Sequence, residues 1–237
     1  MQLSTKTDLT ISTLISQKLS AYASYFKLRL SFLVVFSAIL GFLIASTTIV
    51  WIDLLVLIIG GFLVTGSSNG LNQIIERELD AKMDRTKNRP LVTGAMNVNE
   101  AILIASISGF VGVVMLWVGL NPLSGVLGIL SLFVYVAIYT PLKRITPWAV
   151  FVGAFPGAIP PMLGWVAVNG HFGLEPGSLF AVQFMWQFPH FWAIAWKAHD
   201  DYGKAGFHLL PSSGGKDLTS AFMILLYSLF LLLVSML

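Results

Sequence analysis

Ile52-Asp-Leu-Leu-Val-Leu-Ile-Ile-Gly-Gly-Phe-Leu-Val-Thr-Gly-Ser-Ser-Asn-Gly70 is long and apolar enough to cross the hydrocarbon core of a bilayer as a helix. It runs without a break into Leu71-Asn72-Gln-Ile-Ile-Glu76-Arg-Glu-Leu-Asp80-Ala-Lys-Met-Asp84-Arg-Thr-Lys-Asn-Arg89-Pro-Leu91, dense in acids and bases. An apolar span that ends in an ordered run of charge is the signature of a membrane protein with polar chemistry at one face. Composition agrees. Of 237 residues 56% are hydrophobic and 11% charged, against roughly 25% charged in soluble domains. Mean hydropathy is +0.82. There is no cysteine, which excludes disulfides, thiolate metal sites and a cysteine nucleophile. The net charge of +3 gives no footing for nucleic acid as a partner.

Working outward, seven segments read as spans: 28–46, 52–70, 101–120, 123–139, 146–168, 179–196 and 218–237. Lipid offers no partner for backbone N–H and C=O groups, so the fold class is all-α, a polytopic helical bundle. If seven spans alternate, all 14 Lys and Arg fall on one side, and the opposite loops hold only Asp53 and Glu175. The positive-inside rule places that side, with the N-terminus, in the cytoplasm. Two regions follow. Residues 1–27 form a cytoplasmic N-terminal segment, in which Leu9, Ile11, Leu14, Ile15 and Leu19 suggest a helix lying on the membrane interface. Residues 28–237 form the bundle. The chain stops at Leu237 inside an apolar run, which reads as an incomplete C-terminus.

Asn72, Glu76, Asp80 and Asp84 recur every four residues. On a continuous helix they would line one face, each about 40° from the next. Stacked carboxylates repel one another, and a divalent cation relieves this. Carboxylates, an amide oxygen and water suit Mg²⁺, which commonly bridges to substrate phosphates. A solvated loop whose acids pair with Lys82, Arg85 and Lys87 is the alternative. Continuity with an apolar span favours the cation, because polar groups at membrane depth usually serve a site.

Arg77, Arg85 and Arg89 interleave with the acids, and Lys143 and Arg144 end the fourth span in Tyr139-Thr-Pro-Leu-Lys-Arg144. Acids for a cation beside bases for phosphate oxygens favour a diphosphate site over a bare ion site. A third cluster, Trp186-Gln-Phe-Pro-His190-Phe-Trp-Ala-Ile-Ala-Trp-Lys197-Ala-His199-Asp200-Asp201-Tyr202, brings Asp200 and Asp201 out on the same membrane face. Gln187 and His190 lie about two turns deeper and are expected to face the bundle interior. Gly153, Gly157, Pro160, Pro161 and Gly164 in the fifth span permit close helix packing and a local break.

These motifs resemble the intramembrane (UbiA-type) prenyltransferases over about residues 25–237. The first aspartate-rich motif is matched by Asn72-x-x-x-Glu76-Arg-x-x-Asp80-x-x-x-Asp84-Arg-Thr-x-x-Arg89-Pro-Leu. The Tyr139–Trp148 and Gly153–Trp165 stretches and the Trp186–Tyr202 cluster resemble the haem-modifying branch, and His190 and Lys197 stand where quinone-type relatives have Asp. The resemblance implies Mg²⁺ as cofactor and transfer of the farnesyl group of farnesyl diphosphate to a vinyl carbon of protohaem IX, giving haem O for terminal oxidases. It implies that Asn72, Glu76, Asp80, Asp84, Asp200 and Asp201 hold the cation. Arg77, Arg85, Arg89, Lys143 and Arg144 would contact diphosphate. Asp80, Asp84, Lys143, Arg144 and His190 would carry catalysis, with His190 and Gln187 in the haem pocket. It further implies a bundle two helices larger than the seven counted, and haem A synthase or terminal oxidase assembly as partners beside the lipid bilayer. A quinone-type acceptor, an ion transporter and a structural oxidase subunit are the rival readings. The acids gather at one face instead of the midplane, which argues against the transporter.

Overall fold

The computed structural model describes residues 11–236, so Lys6 and Leu9 of the N-terminal segment, and Leu237, lie outside the described residues. Described elements are helical throughout: α1 (Ile11–Tyr25), α2 (Leu28–Ala45), α3 (Trp51–Ile75), the short α4 (Arg77–Asp80) and α5 (Pro90–Thr93), and α6 (Val98–Gly119). Then come α7 (Pro122–Phe133), which passes through a π-helical turn at Val134–Tyr139 into α8 (Thr140–Leu142), α9 (Ala149–Asn169), α10 (Leu174–Lys197), α11 (His199–Lys204) and α12 (Leu218–Val234). Five stretches are long and apolar enough to cross a membrane: α2, α3, α6, the run from α7 through α8, and α9. The seven spans expected from the sequence are therefore not all met by that measure, since α12 is shorter and α10 carries more polar residues.

Local chemistry sets the helix ends. Asn97 caps α6 by accepting from Asn99 N at 2.9 Å, and Glu100 reaches back to the Asn97 N–H at 3.4 Å, forming a capping box. Pro122 sits in the first turn of α7, where its missing N–H costs nothing, and Asn121 accepts from Ser124 N at 2.9 Å. The Asn121 amide also donates to the Val166 carbonyl at 2.9 Å, tying the start of α7 to the end of α9. Gly170 closes α9 at φ 67°, in the left-handed region.

α9 is central, packing on α2, α7 and α10. It runs unbroken through Pro156, Pro160 and Pro161, so the local break expected from its prolines is absent. The reason lies across the interface. Gly157 would offer its carbonyl to the N–H of residue 161, but Pro161 has none, and the Gln187 side-chain amide donates there instead, at 3.1 Å. The expected close packing is present: a Cβ at Gly164 would fall on the Ala38 backbone, one at Gly157 on the Gln187 side chain, and one at Gly153 on the Tyr139 ring. Gly41 of α2 meets Pro161 in the same way. Gly164→Ala is therefore expected to destabilise the bundle by about 1–3 kcal/mol, the usual cost of an added methylene in a packed interior. Gly177, with nothing near its would-be Cβ, is the control, and Gly177→Ala should be neutral in the same thermal unfolding measurement in detergent. The apolar interior between α2, α3, α6, α7 and α9 holds a cavity of about 40 Å³, lined by residues that include Val35, Ala38, Leu57, Val64, Leu116 and Leu163.

Candidate active site

The charged run after α3 is not one continuous helix, which corrects the single acidic face read from the spacing. α3 ends at Ile75, Glu76 leaves helical geometry at φ −94° and ψ 6°, and α4 stops at Asp80. A continuing helix would give the N–H groups of Asp84 and Arg85 to carbonyls four residues back. The Asp201 carboxylate takes them instead, at 2.8 and 3.1 Å. The Thr86 hydroxyl donates to the Asp80 carbonyl at 2.9 Å and closes the turn. Asn72, Glu76 and Asp80 are thereby buried, whereas the Asp84 side chain is 64% exposed.

Two tiers result. In the buried tier the Glu76 carboxylate pairs with Lys143 at 2.5 Å, and Asp80 Oδ2 pairs with Arg89 at 2.5 Å. Asn72 donates its amide N–H to the Thr140 hydroxyl at 3.2 Å, which leaves its carbonyl oxygen as the remaining acceptor. The Lys143 ammonium lies over the Tyr139 and Phe207 rings, 4.9 and 5.5 Å from their centroids. Burial pushes the Asp80 carboxyl above the ordinary carboxylate range, against the opposing pull of Arg89. Burial likewise lowers the Lys143 ammonium below the usual lysine value, with Glu76 opposing.

In the exposed tier, Asp84 pairs with Lys87 at 2.7 Å and with Lys204, and these two ammonium groups hold its carboxyl down to about 2. Asp201 also meets Lys204, at 3.2 Å, and Asp200 reaches Lys216 at 3.6 Å. The Arg85 guanidinium donates to the Tyr202 hydroxyl at 3.0 Å and stacks over its ring.

Of the residues singled out in the sequence, Asn72, Glu76, Asp80, Arg89 and Lys143 come together in the buried tier, and Asp84, Arg85 and Asp201 form its rim. Arg77, Arg144 and Asp200 stay on the surface. His190 does not face the interior as expected: it is exposed and stacks on Trp186, with ring centroids 4.2 Å apart. Gln187 does face inward, where it is spent on the Gly157 carbonyl.

Sequence reading missed Lys27. It is the non-glycine residue with positive φ (46°) among the described residues, a left-handed elbow between α1 and α2. Its ammonium is pulled down to about 7 by burial and by the neighbouring Arg89 and Lys143 charges, with Glu76 and Asp80 opposing. No local motif marked it, since the elbow depends on contacts far along the chain.

The donor set can be tested for a cation. Among the described residues no three Asp, Glu or His side chains gather as a ready-made metal cage. Asp80 Oδ1, however, is buried without a hydrogen-bond partner. An unsatisfied carboxylate oxygen in such a place costs free energy, and a hard cation relieves that cost. One or two carboxylates, with substrate phosphates completing the shell, is how Mg²⁺ is usually bound. The residues fit.

Comparison with known proteins bears on the chain as a whole. The sequence profile of the UbiA prenyltransferase family matches residues 34–237. The chain is 54% identical over 218 residues to "Protoheme IX farnesyltransferase" of Christiangramia forsetii, covering 92% of this chain and 72% of that protein. It is 48% identical over 214 residues to the protein of the same name in Flavobacterium johnsoniae, covering 89% and 71%. Among solved structures, a UbiA homolog from Archaeoglobus fulgidus bound to GPP and Mg²⁺ superposes with a TM-score of 0.70 at 14% identity, over 90% of this chain and 76% of that one. At that identity the likeness is one of fold.

Proposed function

The chain belongs to the UbiA prenyltransferase family, and from that premise we propose that it is an integral membrane enzyme that transfers the farnesyl group of farnesyl diphosphate to a vinyl carbon of protohaem IX, forming haem O and releasing diphosphate. The observation that carries this reading is the 54% identity, across 92% of the chain, to a relative named for that reaction. The buried pairs Glu76–Lys143 and Asp80–Arg89, set beside Asn72 and Lys27, support it chemically. We place the enzyme in a bacterial inner membrane with this charged end in the cytoplasm, because the Lys and Arg residues gather there.

The charge balance suits the substrate. Arg89 and Lys143 match Glu76 and Asp80, and Lys27, held down to about 7, would take up a proton as an anion binds beside it. Asp80, through its free Oδ1, and Asn72, through its amide oxygen, would hold Mg²⁺, with Glu76, the rim acids Asp84 and Asp201 and the surface Asp200 as further donors toward it. Bound there, Mg²⁺ would neutralise diphosphate oxygens as they gain charge. Arg89, Lys143 and Lys27 would hold the same diphosphate while the C–O bond breaks and the leaving group departs with the electron pair. Donors fixed where charge develops usually supply the largest catalytic share. The vinyl carbon would then attack the allylic cation, and water would add to the resulting haem cation and release a proton to leave the hydroxyl group. Until that step the apolar helices keep water away from the farnesyl cation. Arg85 and Tyr202, paired at 3.0 Å, would stand at the exposed edge of the site. The surface positions of Arg77 and Arg144 suit an encounter role in drawing in the anionic substrate. His190, exposed beside Trp186, is proposed to meet the haem from the outer face of α10.

The test is product formation by membranes given protohaem, farnesyl diphosphate and Mg²⁺, with EDTA as control and a quinone precursor as competing acceptor. A metal-dependent haem O peak supports the reading. Prenylation of the quinone precursor alone overturns the acceptor while keeping the site. Lys27→Met should raise KM for farnesyl diphosphate about tenfold, the loss of one hydrogen bond to a charged group, and leave KM for protohaem unchanged. An unchanged KM for farnesyl diphosphate would remove Lys27 from the site.

A further inference from the structure

α1 has two unlike faces. At 100° per residue, Leu14, Ile15, Lys18, Leu19, Ala21, Tyr22 and Tyr25 share one side, and Ser16, Gln17, Ser20 and Ser24 share the other. The C-terminal half of the apolar side is covered by protein. Ala21 and Tyr25 are buried. The Tyr25 hydroxyl donates to the Ala101 carbonyl at 2.8 Å, and the Gln73 amide donates to the Tyr25 carbonyl at 2.7 Å. Gly70 leaves the room that the Tyr25 ring fills, since a Cβ there would lie 2.5 Å from it. Tyr22 and Lys18 both reach Glu100, at 2.5 and 2.8 Å.

The N-terminal half of the same side is bare: Leu14, Ile15 and Leu19 are 47%, 55% and 62% exposed. Its level in the bilayer is fixed by its neighbours. Gly70 is near the end of α3 and Ala101 is in the first turn of α6, so the covered half rests on the charged end of two membrane spans. Lys18, Tyr22 and Tyr25 meet the adjoining residues Glu100 and Ala101, so the covered half runs along that end, and the bare half continues from it as the same helix. The outward leucines of α2, Leu30 and Leu33, are likewise exposed, at 45% and 55%. The opposite side carries hydroxyls and an amide and suits water.

We infer that α1 is a membrane-surface helix whose Leu14, Ile15 and Leu19 row rests in the lipid headgroup region, while Tyr25 pins its other end to the bundle. An amphipathic helix held in the interface plane buries its apolar face to just this shallow depth. Anchoring at both ends would fix the elbow at Lys27, two residues beyond Tyr25.

Because the chain has no cysteine, single cysteines report one position each. Leu19→Cys and Ser20→Cys would each be labelled with an environment-sensitive fluorophore in vesicles of phosphatidylcholine and phosphatidylglycerol. Shallow lipid-attached nitroxides should quench position 19 several-fold more than position 20, and aqueous iodide should do the reverse. Equal iodide quenching at both positions would put the row in water and overturn the proposal. Resistance of position 19 to both quenchers would mean that protein covers it, which overturns the proposal equally. Should Leu19→Cys fail to fold, Ile15→Cys reads the same face under the same criteria.

Discussion

Asp80→Asn is expected to lower the rate of farnesyl transfer by about 10²–10³-fold, the usual loss when a fixed electrostatic group is removed from a reacting centre, and to abolish the Mg²⁺ dependence of what remains. Asp80 is 1% exposed, its Oδ2 is committed to Arg89, and its Oδ1 has no hydrogen-bond partner. An asparagine of the same shape keeps an oxygen for Arg89 and loses the charge a cation requires. Burial disfavours ionisation at this position, but Arg89 loses its counter-charge, so some fall in melting temperature is expected as well. The rate loss is therefore read per folded enzyme, and should exceed what that fall explains. Asp84→Asn is the comparison. That side chain is 64% exposed and engaged by Lys87 and Lys204, so its loss should cost far less. The check is haem O formation against Mg²⁺ concentration, with thermal unfolding alongside. If Asp84→Asn proves the more damaging, the cation sits on the rim with Asp201 and the assignment to Asp80 is wrong.

The difference between those two acids shows what the sequence could and could not convey. Apolar length located the spans, because membrane depth imposes the same requirement on every helix whatever it packs against. Helix ends at α2, α6 and α9 fell within a few residues of expectation. The spacing Asn72, Glu76, Asp80, Asp84 suggested four equivalent ligands, since periodicity carries no information on where a helix breaks. The turn beyond Asp80 is held by Asp201, more than a hundred residues on, which captures the Asp84 and Arg85 N–H groups. Lys27 was illegible for the same reason: Gln73 and Ala101 hold Tyr25, which sets the elbow. Gln187 was legible as an inward polar residue, and its partner could have been found too. Pro161 leaves the carbonyl at 157 without a donor, and a buried carbonyl in that state calls for a side-chain amide nearby.

The second large effect is expected at Lys143. Its side chain is 10% exposed and its partner's 5%. Removing one member of a buried ion pair typically costs about 3–5 kcal/mol, because the other charge is left without compensation. Lys143→Met should therefore lower the melting temperature sharply, as well as turnover. These two losses have different causes and can be separated. Lys143→Met combined with Glu76→Leu removes both charges and should regain most of the stability, since apolar replacement of a whole buried pair is often neutral. Turnover should not return, because diphosphate would still lack the ammonium over the Tyr139 and Phe207 rings. Glu76→Gln alone completes the set. Both acids have a buried oxygen without a hydrogen bond, but that of Glu76 is the one 2.5 Å from Lys143, whereas at Asp80 the Arg89 pair takes the other oxygen, so the amide should weaken Mg²⁺ dependence less at position 76 than at position 80. If the double variant regains turnover together with stability, Lys143 is a structural counter-ion and Arg89 and Lys27 carry the diphosphate without it.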